Sequence, residues 1–210
     1  CCKHDVYLVT GSNREKTIDQ IGLDVYYRAH RVYNCAGNDV YEKDKNVYRN
    51  PWKLPDDAKE FLLKELKQSL FSVRTGTHIE DRPGCVNFSI LGRGANWTER
   101  EVYKEWDRDN HERIEIAKRF NKEFPDLYAF VGGETGVDIS LKGCDKGQIL
   151  RDFDSKDEIH FFGDRMDENG NDYPLAEALK EMDGSTHYVT GWEDTRTRLV
   201  EFSASGEFFK

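Results

Sequence analysis

Asp5-Val-Tyr-Leu-Val-Thr10, closed by Gly11-Ser12-Asn13, is a short apolar run ending in turn residues, the pattern of a buried parallel strand that hands the chain to a loop. The same pattern returns far downstream in Ile159-His-Phe-Phe162, which stops at Gly163-Asp164. Between them the period changes. Val86, Phe88 and Ile90 alternate with other residues, as do Val137, Ile139 and Leu141, which is the signature of an antiparallel sheet. The chain therefore reads as a parallel α/β core written in two pieces and interrupted by an α+β insertion.

Working outward, a helix is expected from Arg14, and Val32 to Val40 reads as strand, tight turn, strand around Asn34-Cys35-Ala36-Gly37-Asn38. Pro51 and Pro55 mark a change of register, after which Asp56 is expected to cap a helix carrying Phe61, Leu62, Leu66 and Leu70 on one face. Thr98-Glu-Arg-Glu101 has the letters of a capping box and opens a long helical stretch that bends near Asp109-Asn110 and stops at Phe124-Pro125. A further helix is expected around Gly147 to Leu150. The expected pieces are 1–52 and 144–210 for the core and 53–143 for the insertion.

The 210 residues suffice for a sizeable core, and 40 acidic against 31 basic residues give a net charge of −9, which argues against a general nucleic-acid or anionic-membrane surface. No apolar run approaches the roughly 18 residues of a membrane span, and the amino terminus lacks a signal-peptide pattern, so a cytoplasmic protein is expected. The odd number of cysteines, without C-x-x-C spacing, gives neither a disulfide framework nor a zinc ribbon. Cys1 and Cys2 are read, like the others, as buried or incidental thiols. A sequence that opens Cys-Cys and enters a strand almost at once is read as truncated.

In an open parallel sheet, ligands sit beyond the carboxyl ends of the strands, where Ser12 and Asp164 are both expected. Taken singly, a Gly-Ser or Gly-Asp turn is ordinary turn chemistry. Gly163-Asp-Arg-Met-Asp-Glu-Asn-Gly-Asn-Asp172 is more specific, because four carboxylates and two glycines directly follow a buried strand. This suits a Mg²⁺ loop with Asp164 as direct ligand and Asp167, Glu168 or Asp172 helping through water or by fixing the loop. Lys146 could neutralise a carboxylate and a transferring phosphoryl group, and Arg82, Arg93 and Arg100 carry the forked donors that phosphate recognition needs.

Together, Arg82 to Arg100 with Val86-Asn-Phe-Ser-Ile-Leu-Gly-Arg93 and Thr98-Glu-Arg100, then Gly132-Gly133, Val137-Asp138, Asp145-Lys146, Phe161-Phe-Gly-Asp164 and Gly170-Asn-Asp172, resemble in order the eukaryotic phosphomannomutases. These are members of the haloacid dehalogenase superfamily with a cap inserted in the core. The resemblance implies a Mg²⁺-dependent enzyme that binds a hexose phosphate, of mannose or glucose, between core and cap, uses a hexose bisphosphate as activator and forms a homodimer through the cap. It assigns Arg82, Arg93 and Arg100 to the phosphate or nearby hydroxyls, Asp138 to the sugar, Ser12 and Lys146 to the second and third core motifs, and Asp164 to Mg²⁺. Gly136 stands where the family usually has a substrate-touching serine.

The family's nucleophile and acid/base belong to a D-x-D pair on a strand that would precede Cys1. Asp152-Phe-Asp-Ser155 imitates that motif, but it follows a helical segment and is set aside. Three functions are carried forward: mutase, sugar-phosphate phosphatase on the same scaffold, and a non-catalytic phosphosugar-binding remnant.

Overall fold

A computed structural model describes residues 4–168 and 170–205, so Cys1, Cys2 and Asn169 of the acidic stretch lie outside the described residues. Two compact units divide between Asp145 and Lys146.

The first unit opens with strand β1 (Tyr7–Val9), helices α1 (Arg14–Ile21) and α2 (Leu23–Arg28), and strand β2 (Arg31–Asn34), which pairs with β1 in parallel. Asn13 caps α1 by accepting the Lys16 N–H at 3.0 Å. Tyr26, Ala29 and Val32 are buried against Leu8, Ile18 and Ile21, closing this small βαβ unit. A tight 3₁₀ turn, Cys35–Gly37, then reverses the chain into the antiparallel strands β3 (Asp39–Glu42) and β4 (Lys45–Arg49). Cys35 and Ala36 take φ of 48° and 57°, a left-handed conformation unfavourable for residues with a side chain. Three hydrogen bonds hold it: Cys35 N–H to Ser12 O, Ala36 N–H to Thr10 O, and Asn38 Nδ2 to Cys35 O.

The rest of the first unit is a sheet of order β5-β6-β8-β7, antiparallel throughout, made from β5 (Ile79–Arg82), β6 (Cys85–Phe88), β7 (Leu127–Gly132) and β8 (Gly136–Leu141). Its apolar face supplies Phe88, Val137, Ile139 and Ala129 to a core shared with α3 (Asp56–Gln68), α4 (Trp97–Asn110) and α5 (Glu112–Glu123). Leu62, Tyr103, Phe120 and Ile139 are wholly buried there, and burial of side chains of this size stabilises by about 1.5–3 kcal/mol each. Sequence alternation identified β6 and β8 but left β5 unread as a separate strand.

Three local expectations are corrected. Asp56 does not cap α3: Pro55, with φ −59° and ψ 150°, takes the cap position, and Asp57 Oδ1 accepts the Ala58 N–H instead. Leu70 lies outside α3 and is exposed, because Ser69 turns extended and the Arg74 guanidinium donates to the terminal carbonyls of Leu66 and Ser69. The capping box of α4 is Asn96 with Glu99 rather than Thr98 with Glu101, since Asn96 is the last non-helical residue and its oxygen reaches the Glu99 N–H. The expected bend is present: α4 ends at Asn110, and His111, at φ 54°, separates it from α5.

In the second unit, the segment expected as a helix is a 3₁₀ stretch, Lys146–Asp152. Strands β9 (His160–Gly163) and β10 (Ser185–Tyr188) pair in parallel around α6 (Tyr173–Lys180), which buries Leu175, Ala176 and Leu179, and the described chain ends in α7 (Trp192–Ser205). No helix among the described residues is long and apolar enough to cross a membrane.

Candidate active site

Strand alternation puts most apolar residues of the insertion's sheet on one face and gathers its charged and polar residues, with the stacked Tyr128 and Phe130, on the other. The register aligns Glu80, Asn87, Asp138 and Phe130 in one row across β5, β6, β8 and β7, with Arg82, Cys85, Ser140 and Tyr128 in the next. Asn87 Nδ2 donates to Asp138 Oδ1 at 2.7 Å, fixing a carboxylate near the middle of the face. Gly136 leaves room for this contact: a Cβ there would lie 2.5 Å from Asn87 Nδ2.

Arg82 Nη2 donates to Glu80 Oε2 at 2.7 Å, and its Nη1 lies 3.8 Å from Asp138. Burial pulls this guanidinium's pKa down, but the hydrogen bond to Glu80 and the charges of Asp138 and Glu80 more than offset that and hold it above its ordinary value. Its Nε is buried and finds no partner among the described residues. A buried orphan donor is costly.

Arg93 reaches the same carboxylate from outside the sheet. Gly92, at φ 93°, carries the chain so close to Thr75 that a Cβ would run into the Thr75 carbonyl oxygen. Arg93 N–H then bonds Thr77 O at 2.9 Å and its Nε meets Glu80 Oε2 at 2.9 Å. Arg100, in the first turn of α4, donates through Nε to Ala95 O at 3.1 Å, and no carboxylate pairs with it among the described residues.

Ser12 follows β1 and precedes the Asn13 cap; its N–H bonds Thr10 Oγ1 at 3.1 Å and its carbonyl accepts from Cys35. In the second unit, Lys146 Nζ and Asp172 Oδ1 are 2.5 Å apart, with both side chains under a tenth exposed. Asp172 Oδ2 accepts the Arg165 N–H at 3.1 Å, so this carboxylate ties the acidic loop together from inside. Asp164, Asp167 and Glu168 are exposed, and Arg165 lies 3.8 Å from Asp167. Among the described residues no three His, Cys, Asp or Glu side chains converge as a metal cage. A single strand-end carboxylate such as Asp164 fits a cation of the Mg²⁺ type, which keeps several waters and takes only one or two carboxylates.

Glu80 was absent from the sequence reading, and Asn87 stood in it only as part of the Val86 to Arg93 stretch, without a role in the site. Their signal was the Pro83-Gly84 turn between β5 and β6, which sets the register that places Glu80 beside Asn87 and both beside Asp138.

The profile of eukaryotic phosphomannomutase matches residues 2–204. The phosphomannomutase of Saccharomyces cerevisiae is 30% identical over 211 residues, covering 96% of this chain and 81% of the yeast protein. That of Arabidopsis thaliana is 30% identical over 196 residues, covering 90% and 78%. Among solved structures, SMU.1108c from Streptococcus mutans superposes with a TM-score of 0.62 at 12% identity, covering 95% of this chain and 86% of that one. A haloacid dehalogenase-like hydrolase from Bacteroides thetaiotaomicron gives 0.57 at 9%, covering 93% and 85%. At these identities the structural likeness speaks for the fold: an α/β core of the haloacid dehalogenase type with an inserted α+β cap. Matched over nearly its whole length, the chain belongs to the eukaryotic phosphomannomutases, a family of enzymes.

Proposed function

We propose that the chain carries out phosphoryl transfer on a hexose phosphate, interconverting mannose 6-phosphate and mannose 1-phosphate through an aspartyl-phosphate. The observation that supports this most directly is the polar sheet face, where Arg82 and Arg93 meet on one carboxylate, Arg82 keeps an unpartnered buried Nε, and Asp138 stands alongside. Forked guanidinium donors beside a fixed carboxylate suit a ligand carrying a phosphate and hydroxyls.

In this reading Arg82, Arg93 and Arg100 hold a phosphate, and Asp138, steadied by Asn87, accepts from a sugar hydroxyl. Ser12 donates to a phosphoryl oxygen. Lys146, held by Asp172, offsets charge on the transferring group. Asp164 would hold Mg²⁺, with Asp167, Glu168 or Asp172 fixing the loop or a ligating water. Bound there, the ion would supply Lewis-acid screening of phosphoryl charge. The attacking aspartate and its acid/base partner would be the D-x-D pair that the family resemblance implies. The cap is proposed to span 53–143 between core pieces 1–52 and 144–210, the protein to act in the cytoplasm as a homodimer through the cap, and a hexose bisphosphate to prime it.

The test is phosphorus NMR of the full-length protein with Mg²⁺, mannose 1-phosphate and a trace of hexose bisphosphate. Conversion to the 6-phosphate is expected. Accumulation of free phosphate alone would replace the mutase with a sugar-phosphate phosphatase, a reading that the altered Gly136 position favours. Binding without turnover would leave a phosphosugar-binding remnant.

A further inference from the structure

We infer that Glu80 is a positioning residue for phosphate recognition, fixing the spacing of Arg82 and Arg93 and, through its charge, limiting how tightly they hold an anion. The inference rests on the reading of these arginines as phosphate ligands.

A single oxygen, Glu80 Oε2, accepts from Arg82 Nη2 at 2.7 Å and forms an ion pair with Arg93 Nε at 2.9 Å. The two guanidinium groups come from different places: Arg82 ends β5, and Arg93 follows the Gly92 turn beyond β6. As like charges they repel, so without a shared anion nothing on this face would keep their donors converging. Glu80 supplies that anion while engaging Arg93 through Nε, and the Arg93 side chain stays 36% exposed toward a ligand. The Glu80 and Arg82 side chains are only 27% and 11% exposed, so their interaction is poorly screened by solvent.

The same carboxylate works against the ligand. With Asp138 it sets two negative charges against Arg82 and Arg93, and an arriving phosphate dianion must be held by cations already half satisfied. Orientation and affinity are thereby separated: the contacts of Glu80, a hydrogen bond from Arg82 and an ion pair with Arg93, align the arginines, and its charge weakens their grip. An enzyme that must release its product gains from that combination.

The separation gives two variants of opposite sign. Glu80→Gln keeps an acceptor oxygen with two lone pairs but removes the charge, whereas Glu80→Ala removes both. Titration calorimetry of inorganic phosphate into the full-length protein should show Glu80→Gln binding tighter by a factor of about 3 to 10 and Glu80→Ala binding weaker by a similar factor. The gain in Glu80→Gln should shrink in high salt and be smaller in an Arg93→Ala background. Loss of affinity in both variants, or no change in Glu80→Gln, overturns the inference. Glu80→Gln is nearly isosteric and decides the matter alone should Glu80→Ala fail to fold. If Arg93→Ala leaves phosphate binding unaltered in otherwise wild-type protein, the assignment of the arginines falls and the role of Glu80 falls with it, an outcome distinct from failure of Glu80 alone.

Discussion

The two charged groups with the least access to water among the proposed site residues are Lys146 and Asp172, 7% and 3% exposed. Removing one partner of such a pair leaves the other charge buried and uncompensated, whereas replacing both by apolar groups of similar size removes the desolvation cost as well. Asp172→Ala should therefore lower stability by about 3–5 kcal/mol, and Lys146→Met with Asp172→Leu by clearly less, as read from urea unfolding followed by circular dichroism. Equal losses in the single and double variants would mean that the loop contacts of Asp172, above all its bond to the Arg165 N–H, carry the stability. Arg93 is the opposite case, 36% exposed, so its replacement should spare the fold and cost recognition. Arg93→Ala should lower kcat/KM for the sugar phosphate by a factor of about ten or more, with an unchanged melting temperature. An unaltered kcat/KM would remove Arg93 from the phosphate site.

At the scale of elements, β9, β10 and α7 gather a histidine pair that the sequence did not announce. His160 Nδ1 and His187 Nε2 are 3.1 Å apart with their rings stacked, Glu158 meets the far nitrogen of His160 at 3.3 Å, and Phe162 and Phe202 pack on the His187 ring. Burial first, then the charges of His160 and Arg198, lower the pKa of His187 below its ordinary 6.5. A lowered histidine binds fewer protons folded than unfolded between its folded value and 6.5. Stability therefore rises with pH through that window and is lost on acidification. His187→Gln should shrink the fall in melting temperature between about pH 7.5 and about pH 5.5, measured by scanning calorimetry. An undiminished fall would assign it to other groups. The strand Ile159 to Phe162 was legible from its apolar run, but the histidine pairing depends on β10 lying parallel at a register that aligns His187 with Phe162. Local patterning carries no such register. The same limit hid Glu80, whose two arginine partners are visible as letters but meet only through the β5-β6 hairpin and the Gly92 turn. Helix ends failed for a related reason: Thr98 and Asp56 are acceptable caps, but the chain leaves its turn one or two residues earlier, at Asn96 and Pro55.

At the scale of the whole first unit, alternation and apolar runs made the two sheet types readable, while the contacts that tie the sheets together depend on residues distant in sequence. Asn38 is fully buried just after the strained Cys35–Gly37 turn. Its Nδ2 donates to Cys35 O at 2.8 Å and to Cys144 O at 3.2 Å, and its Oδ1 accepts from Asn50 Nδ2 at 2.8 Å. Asn50 and Cys144 lie beside the two points where the sequence reading ends and resumes the core, so one amide ties both crossings to the turn beyond β2. The Pro83-Gly84 turn of the insertion packs on the same side chain, since a Cβ at Gly84 would come within 2.5 Å of Asn38 Oδ1. Asn38→Ala would remove one partner each from the half-buried Asn50 amide and the Cys144 carbonyl, at about 1–3 kcal/mol for each group that stays unsatisfied. The variant should lose about 3 kcal/mol of stability. Because the lost bonds join chain segments rather than fill one core, the loss should come with a broader urea transition than wild type. Gly84→Ala should act in the same direction by displacing Asn38, with an added cost from its φ of 64°. If Asn38→Ala unfolds with wild-type midpoint and slope, water replaces the amide and the crossings are held by their own backbone hydrogen bonds.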